Sequence, residues 1–238
     1  MIKKITKKLL YEGSILPVNH VMMFHHIDDG NIVKKSNCVL KYSSFIEFID
    51  SGLEFISIAE YINFKYENRN KCVITFDDGL EDVYRVAYPE LKKRNIPFAI
   101  FIVTDFLDKE GYIGREELIE MSTDPLVTIC SHGVTHQLLS GMDEYQQVVE
   151  LEESKKILEQ IIQKPVNYFA YSHGKYDNET LKLLRENDWY DFAFGVQSLP
   201  TNSITKSWKW HLPRINFDNN GMRYQIIRNK GKVRLSYK

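Results

Sequence analysis

Cysteine is scarce in this chain. Its three copies, Cys38, Cys72 and Cys130, are an odd number at no metal-ligand spacing. That excludes a disulfide framework or a cysteine-rich zinc module as the organiser of the fold. Cys72 and Cys130 sit in or at the end of apolar runs, where cysteine acts as a small buried hydrophobe, a usage that suits a reducing compartment. An excess of one charge is lacking too: 31 Lys and Arg face 32 Asp and Glu, for a net charge of −1. No global field therefore draws the chain to nucleic acid. No run approaches the ~18 apolar residues of a transmembrane helix. Residues 1–10 have the charged start of a signal peptide but lack its apolar core of about 7–15 residues. A cytoplasmic location is the expectation, and with no repeat, low-complexity segment or linker in view, so is one domain over 1–238.

What is present is a large apolar share, 43%, arranged as strands alternating with amphipathic helices. Apolar runs over 18–26, 55–58, 72–76, 98–103, 126–130, 167–171, 191–196 and 212–217 read as strands. Helices are expected from Ser43-Ser44, a plausible N-cap, at 59–64, at 82–95 with Pro89 inside the pattern, at 115–121, at 142–163 and at 178–187. A last helix is expected over 221–228. The helix over 142–163 puts Val148, Leu151, Ile157, Leu158, Ile161 and Ile162 on one side, and its glutamates and lysines read as a solvated face. Such βα units imply a parallel sheet covered on both sides, with chemistry at the strand ends.

Two strand ends carry that chemistry. Lys71-Cys72-Val73-Ile74-Thr75-Phe76 runs into Asp77-Asp78-Gly79. Two adjacent carboxylates in a half-buried crevice cost energy unless a cation or proton offsets them, and both can face one site only if the chain turns at Gly79. A surface turn is the favoured reading of Asp-Asp-Gly taken alone. The second run, Leu126 to Cys130, leads to Ser131-His132-Gly133-Val134-Thr135-His136. Histidines four apart converge on one point if the segment coils into a helical turn, and two imidazoles with one carboxylate make a catalytic metal set with an open position. A pair of structural histidines is the other reading.

Together the two motifs resemble those of the polysaccharide deacetylases, carbohydrate esterase family four, also called the NodB-homology family. The resemblance extends to Val21-Met22-Met23-Phe24-His25-His26, to Phe169-Ala170-Tyr171-Ser172-His173-Gly174-Lys175-Tyr176-Asp177 and to Leu212-Pro213-Arg214-Ile215, and covers about residues 18 to 218. It implies an α/β fold, an irregular (β/α) barrel with fewer than eight strands. It also implies one divalent metal, zinc or alternatively cobalt, nickel or iron, on Asp78, His132 and His136, with Asp77 as general base. The attacked group is then an acetamide on an amino sugar or an acetyl ester, in a surface polysaccharide, its precursor or a glycolipid. A backbone N–H near His173 is expected to hold the oxyanion.

Gly174 is expected to serve a tight turn, and Tyr171 and Tyr176 to line a sugar groove, with packing as the alternative for both rings. Trp208 and Trp210 are open to the same two readings. His25 ends the first strand within reach of the site or as a structural histidine; His20 lies at the strand's other end. Two departures from the family pattern stand out. Ala170 occupies the position of an arginine that orients the catalytic aspartate, and the late Leu-x-x-His motif is missing in its usual form, with His211 before Leu212 as a substitute. Arg214 is expected to point inward and hydrogen-bond Asp77.

Alternatives to the deacetylase are a carbohydrate-binding or assembly module on the same barrel and a deformylase of a lipid-linked sugar. Lys3, Lys4, Lys7 and Lys8 at one end, and Arg228, Lys230, Lys232, Arg234 and Lys238 at the other, are open to two readings: solubilising tails, or weak docking on an anionic membrane.

Overall fold

The computed structural model describes residues 19–31, 38–63, 71–196 and 209–217, and the backbone of two further strands, 224–229 and 232–237. The basic N-terminal segment and Trp208 lie outside the described residues.

The β-branched and aromatic runs form β1 (His20–Phe24), β2 (His26–Asp28), β3 (Val39–Lys41), β4 (Glu54–Phe55), β5 (Lys71–Phe76), β6 (Phe98–Ile102), β7 (Val127–Ser131), β8 (Tyr168–Ala170), β9 (Phe192–Phe194) and β10 (Ile215–Asn216). Seven of these lie side by side in the order β10-β1-β5-β6-β7-β8-β9, all pairs parallel, with β4 added along the start of β5. The segment 212–217 joins the two ends of this row. Leu212 exchanges backbone hydrogen bonds with Ala193 and Gly195 beyond β9, and Ile215 and Asn216 pair with Met22 and Met23 of β1. The result is an irregular barrel of seven strands.

Alternation along each strand sorts side chains between its two faces. Val21, Val73, Ala99, Phe101, Cys130, Ala170, Phe194 and Leu212 share one buried apolar cluster. Met22, Phe24, Cys72, Ile74, Phe76, Phe98, Ile100, Ile102 and Phe169 belong to a second, larger cluster, which includes the helix residues Leu118, Leu151 and Leu158. The first cluster fills the barrel; the second packs strands against helices. Continuing the same alternation past the strand ends puts His25, Asp77 and His132 on the barrel side.

The helices are α1 (Tyr42–Ile49), α2 (Ile58–Asn63), α3 (Tyr88–Lys93), α4 (Arg115–Thr123), α5 (Glu144–Val148), α6 (Ser154–Ile162) and α7 (Asn178–Glu186). Four expectations need correction. The cap of α1 is the extended residue Lys41, with no side-chain cap bond, so Ser43 and Ser44 lie inside the helix. The helix expected over 82–95 opens with a π turn, Val83–Ala87, and Pro89 stands at the start of its regular second part. The long helix over 142–163 is likewise split by a π turn, Val149–Glu153, between α5 and α6. Residues 221–228 are not a helix: β11 (Tyr224–Asn229) and β12 (Lys232–Tyr237) form an antiparallel hairpin. Its runs of β-branched and aromatic residues favour strand pairing over a helix.

Candidate active site

Asp77 is the first residue after β5, and its amide donates to the Phe24 carbonyl on β1 (3.0 Å). Its side chain points into the barrel and is 2% exposed. Arg214, fully buried, meets it with a fork: Nη1 donates to Oδ1 at 2.5 Å and Nη2 to Oδ2 at 2.8 Å. The guanidinium lies over the Phe101 ring (4.8 Å to the centroid) and also donates to the Thr75 hydroxyl and the Gly195 carbonyl, both at 3.4 Å. Burial alone would push the Asp77 carboxyl up. The Arg214 and His132 charges and the fork outweigh it and bring the carboxyl down to about 2. A planar fork holds a carboxylate in one rotamer, which an ammonium would not do.

Asp78 differs from its neighbour in backbone and in partners. Its φ is +71°, in the left-handed region that non-glycine residues rarely enter, and this turn brings both carboxylates to one side. Gly79 follows at φ +72°. Asp78 Oδ1 is buried and accepts no hydrogen bond. It lies 3.6 Å from His132 Nε2 and 3.3 Å from His136 Nε2. Among the described residues, Asp78, His132 and His136 form the group whose ligand atoms all lie within 4.8 Å of one another. His132 Nδ1 donates to the Ala170 carbonyl at 2.7 Å, which leaves the Nε2 lone pair facing the cluster. Two imidazoles and an unsatisfied carboxylate oxygen aimed at one point fit a divalent cation, and no cysteine sulfur takes part.

The histidines do not converge through a helical turn. Residues 132–136 form an irregular loop with Gly133 at φ +86° and His136 at φ +63°. Sequence reasoning missed the residue that folds it. Glu150, on the π turn of the long helix, is buried. Its carboxylate accepts from Val134 N (2.7 Å), Thr135 N (3.1 Å) and Thr135 Oγ1 (2.5 Å). Glu150 is therefore an exception to the solvated face read from that helix. A glutamate among glutamates and lysines reads as solvated by residue type, and the donors that hold it inward lie 15 and 16 residues earlier in the chain.

His173 has φ +55°, and its ring lies 4.6 Å from that of His136. Gly174 follows at φ +66°, where a Cβ would come within 2.9 Å of the Val196 side chain. Tyr171 is corrected from groove to core: its side chain is fully buried, stacked on Tyr176 (4.4 Å), with its hydroxyl donating to the Trp210 carbonyl at 2.8 Å. The Trp210 ring is partly buried against the core, beneath Lys209. Tyr176 is partly exposed and its hydroxyl bonds His211 Nδ1. Asp177 caps α7, accepting from Thr180 N (3.0 Å), and also accepts from Gly141 N (3.1 Å). His25 Nδ1 is buried without a partner next to the Phe24–Asp77 contact. His26 does not face the site; its Nδ1 meets Asp82 Oδ2 at 2.5 Å.

The polysaccharide deacetylase family model matches residues 65–190, more than half of the chain. The chain belongs to the polysaccharide deacetylase family. It is 29% identical over 185 residues to YxkH of Bacillus subtilis, a protein named for the same family, covering 76% of this chain and 64% of that one. It is 26% identical over 257 residues to the poly-beta-1,6-N-acetyl-D-glucosamine N-deacetylase of Staphylococcus aureus, covering 93% of this chain and 85% of the relative. The fold superposes on that of the Streptococcus pyogenes deacetylase PplD with a TM-score of 0.74 at 22% identity, over 86% of this chain and 95% of that one. IcaB from Ammonifex degensii gives a TM-score of 0.74 at 20% identity, over 86% and 94%. Among the described residues no helix is long and apolar enough to cross a membrane.

Proposed function

We propose that the chain removes acetyl groups from an N-acetylated amino-sugar polysaccharide, with a divalent metal on Asp78, His132 and His136. The observation that carries this reading is the fully buried Arg214 fork on Asp77, beside a three-residue ligand cluster with an unsatisfied carboxylate oxygen. A cation held there lowers the pKa of water toward ~7 and polarises a carbonyl.

The rest is the work of the chain itself. Arg214 keeps Asp77 ionised and fixed, so its acceptor state is populated at any physiological pH and its rotamer is set before substrate arrives. Asp77 takes the proton of the attacking water. His132, locked by the Ala170 carbonyl, and His136, packed between Phe106 and His173, keep their Nε2 atoms aimed at Asp78. The departing amine needs a proton. We assign this to His25, whose charge acts on Asp77 and whose Nδ1 has no partner; His211 is already engaged by the Tyr176 hydroxyl. A binding module has no use for a buried, oriented carboxylate.

The S. aureus relative that aligns with most of this chain directs the substrate choice to β-1,6-linked N-acetylglucosamine. The test is incubation of the zinc- or cobalt-loaded chain with oligomers of that sugar, followed by mass spectrometry and acetate assay. Exchange of acetyl for hydrogen, abolished by a chelator and restored by zinc or cobalt, is the expected result. No acetate from any linkage of N-acetylated oligomer rejects the reading.

A further inference from the structure

The loop that carries both candidate histidine ligands has few internal contacts of its own; it is suspended between two neighbours. On one side the amides of Thr104 and Asp105, beyond β6, donate to the carbonyls of Gly133 (3.1 Å) and Val134 (3.0 Å). On the other, the Glu150 carboxylate collects the amides of Val134 and Thr135 and the Thr135 hydroxyl. Gly133 lies against that carboxylate: a Cβ there would come 2.6 Å from Glu150 Oε2. The π turn is pinned in its turn. Ser154 Oγ donates to the Glu150 carbonyl (2.6 Å) and bonds Ser131 Oγ (2.7 Å), whose oxygen accepts from Gly133 N (3.2 Å), while Tyr190 donates to the Leu151 carbonyl (2.7 Å).

A buried carboxylate that takes three donors from two consecutive residues, out of the three that separate the two candidate ligands, fixes the backbone torsions of that loop. His136 sits directly after Thr135, in the left-handed region, a conformation that persists only when its surroundings over-determine it. We infer that Glu150 is a positioning residue for the candidate metal centre: through Val134 and Thr135 it sets the direction of the His136 imidazole, and so the affinity and coordination geometry of the cation. This rests on the metal site proposed above. Outer partners of this kind typically change metal affinity by about 10–100-fold.

Zinc affinity of the full chain, measured by competition with a chromophoric chelator, and the visible spectrum of the cobalt-loaded chain test it. Glu150→Ala is expected to weaken zinc about 10–100-fold and to alter the cobalt bands at saturation. Glu150→Gln keeps one acceptor oxygen for the two amides and can donate to the Thr135 hydroxyl, so it is expected to recover most of the affinity. Thr135→Val, which removes a single surface-side donor, is expected to fall between wild type and Glu150→Ala and serves where the alanine variant does not fold. Wild-type zinc affinity and cobalt bands in both Glu150→Ala and Thr135→Val, or a glutamine variant no better than alanine, overturn the positioning role. A wild-type chain that takes up no zinc or cobalt overturns the metal site itself.

Discussion

Asp77 and Asp78 are neighbours in sequence with identical side chains, and the fold gives them opposite surroundings. Asp77 is enclosed: both oxygens are held by Arg214, and its charge is compensated inside the barrel. Asp78, one residue on, has a left-handed backbone, a partly exposed side chain and one buried oxygen with no hydrogen bond. The first is a satisfied group whose geometry is fixed; the second is a group still short of a partner. A carboxylate meant to accept a proton gains from being fixed, and one meant to bind a cation gains from being unsatisfied. The contrast teaches that adjacent, identical residues come to differ in kind when a single turn changes which neighbours each can reach.

The largest expected effect separates the two aspartates. Asp77→Asn should retain zinc and lose roughly 10²–10⁴-fold in kcat, whereas Asp78→Asn, His132→Ala or His136→Ala should lose zinc itself. Metal analysis alongside turnover decides this, and full activity in Asp77→Asn would remove it from the role of base. Next comes the fork. Arg214→Met leaves a buried, uncompensated carboxylate and is expected to destabilise the fold by ~3–5 kcal/mol in urea unfolding. Arg214→Lys keeps charge without the planar grip, so kcat should fall by up to about 10²-fold with KM little changed. An unchanged kcat assigns Arg214 to stability alone.

The opposite end of the barrel offers a control far from the site. Burial lowers His20 to about 4, and its Nδ1 has no partner. The folded state thus takes up its proton only near pH 4, while the unfolded chain does so near 6.5. Between those values the unfolded state binds more protons, so stability rises with pH through that window and is flat above it. His20→Gln is expected to remove roughly 3 kcal/mol of this acid sensitivity. Urea midpoints at pH 7 and pH 4.5 measure it; equal pH dependence in both proteins would assign the acid loss to other groups. Smallest is the effect of Gly174→Ala, where a positive φ and the Val196 contact predict about 1–3 kcal/mol, read as a lowered Tm.

The sequence by itself determined most of the architecture and pointed to the candidate cluster of Asp78, His132 and His136. Alternating apolar runs declare strands, amphipathic periods declare helices, and the paired carboxylates and histidines at two strand ends together carry the family resemblance. It also pointed to an inward Arg214. Tertiary structure alone decided the rest. Tyr171 belongs to the core because Trp210, 39 residues away, accepts its hydroxyl. Glu150 belongs to the histidine loop because Val134 and Thr135, 16 and 15 residues earlier, donate to its carboxylate. The segments 224–229 and 232–237 are strands because they pair with each other, antiparallel. For Tyr171 and Glu150 the deciding contact lies outside the window that a local pattern can sample, and a carboxylate or phenol is read correctly only once its distant partner is in place.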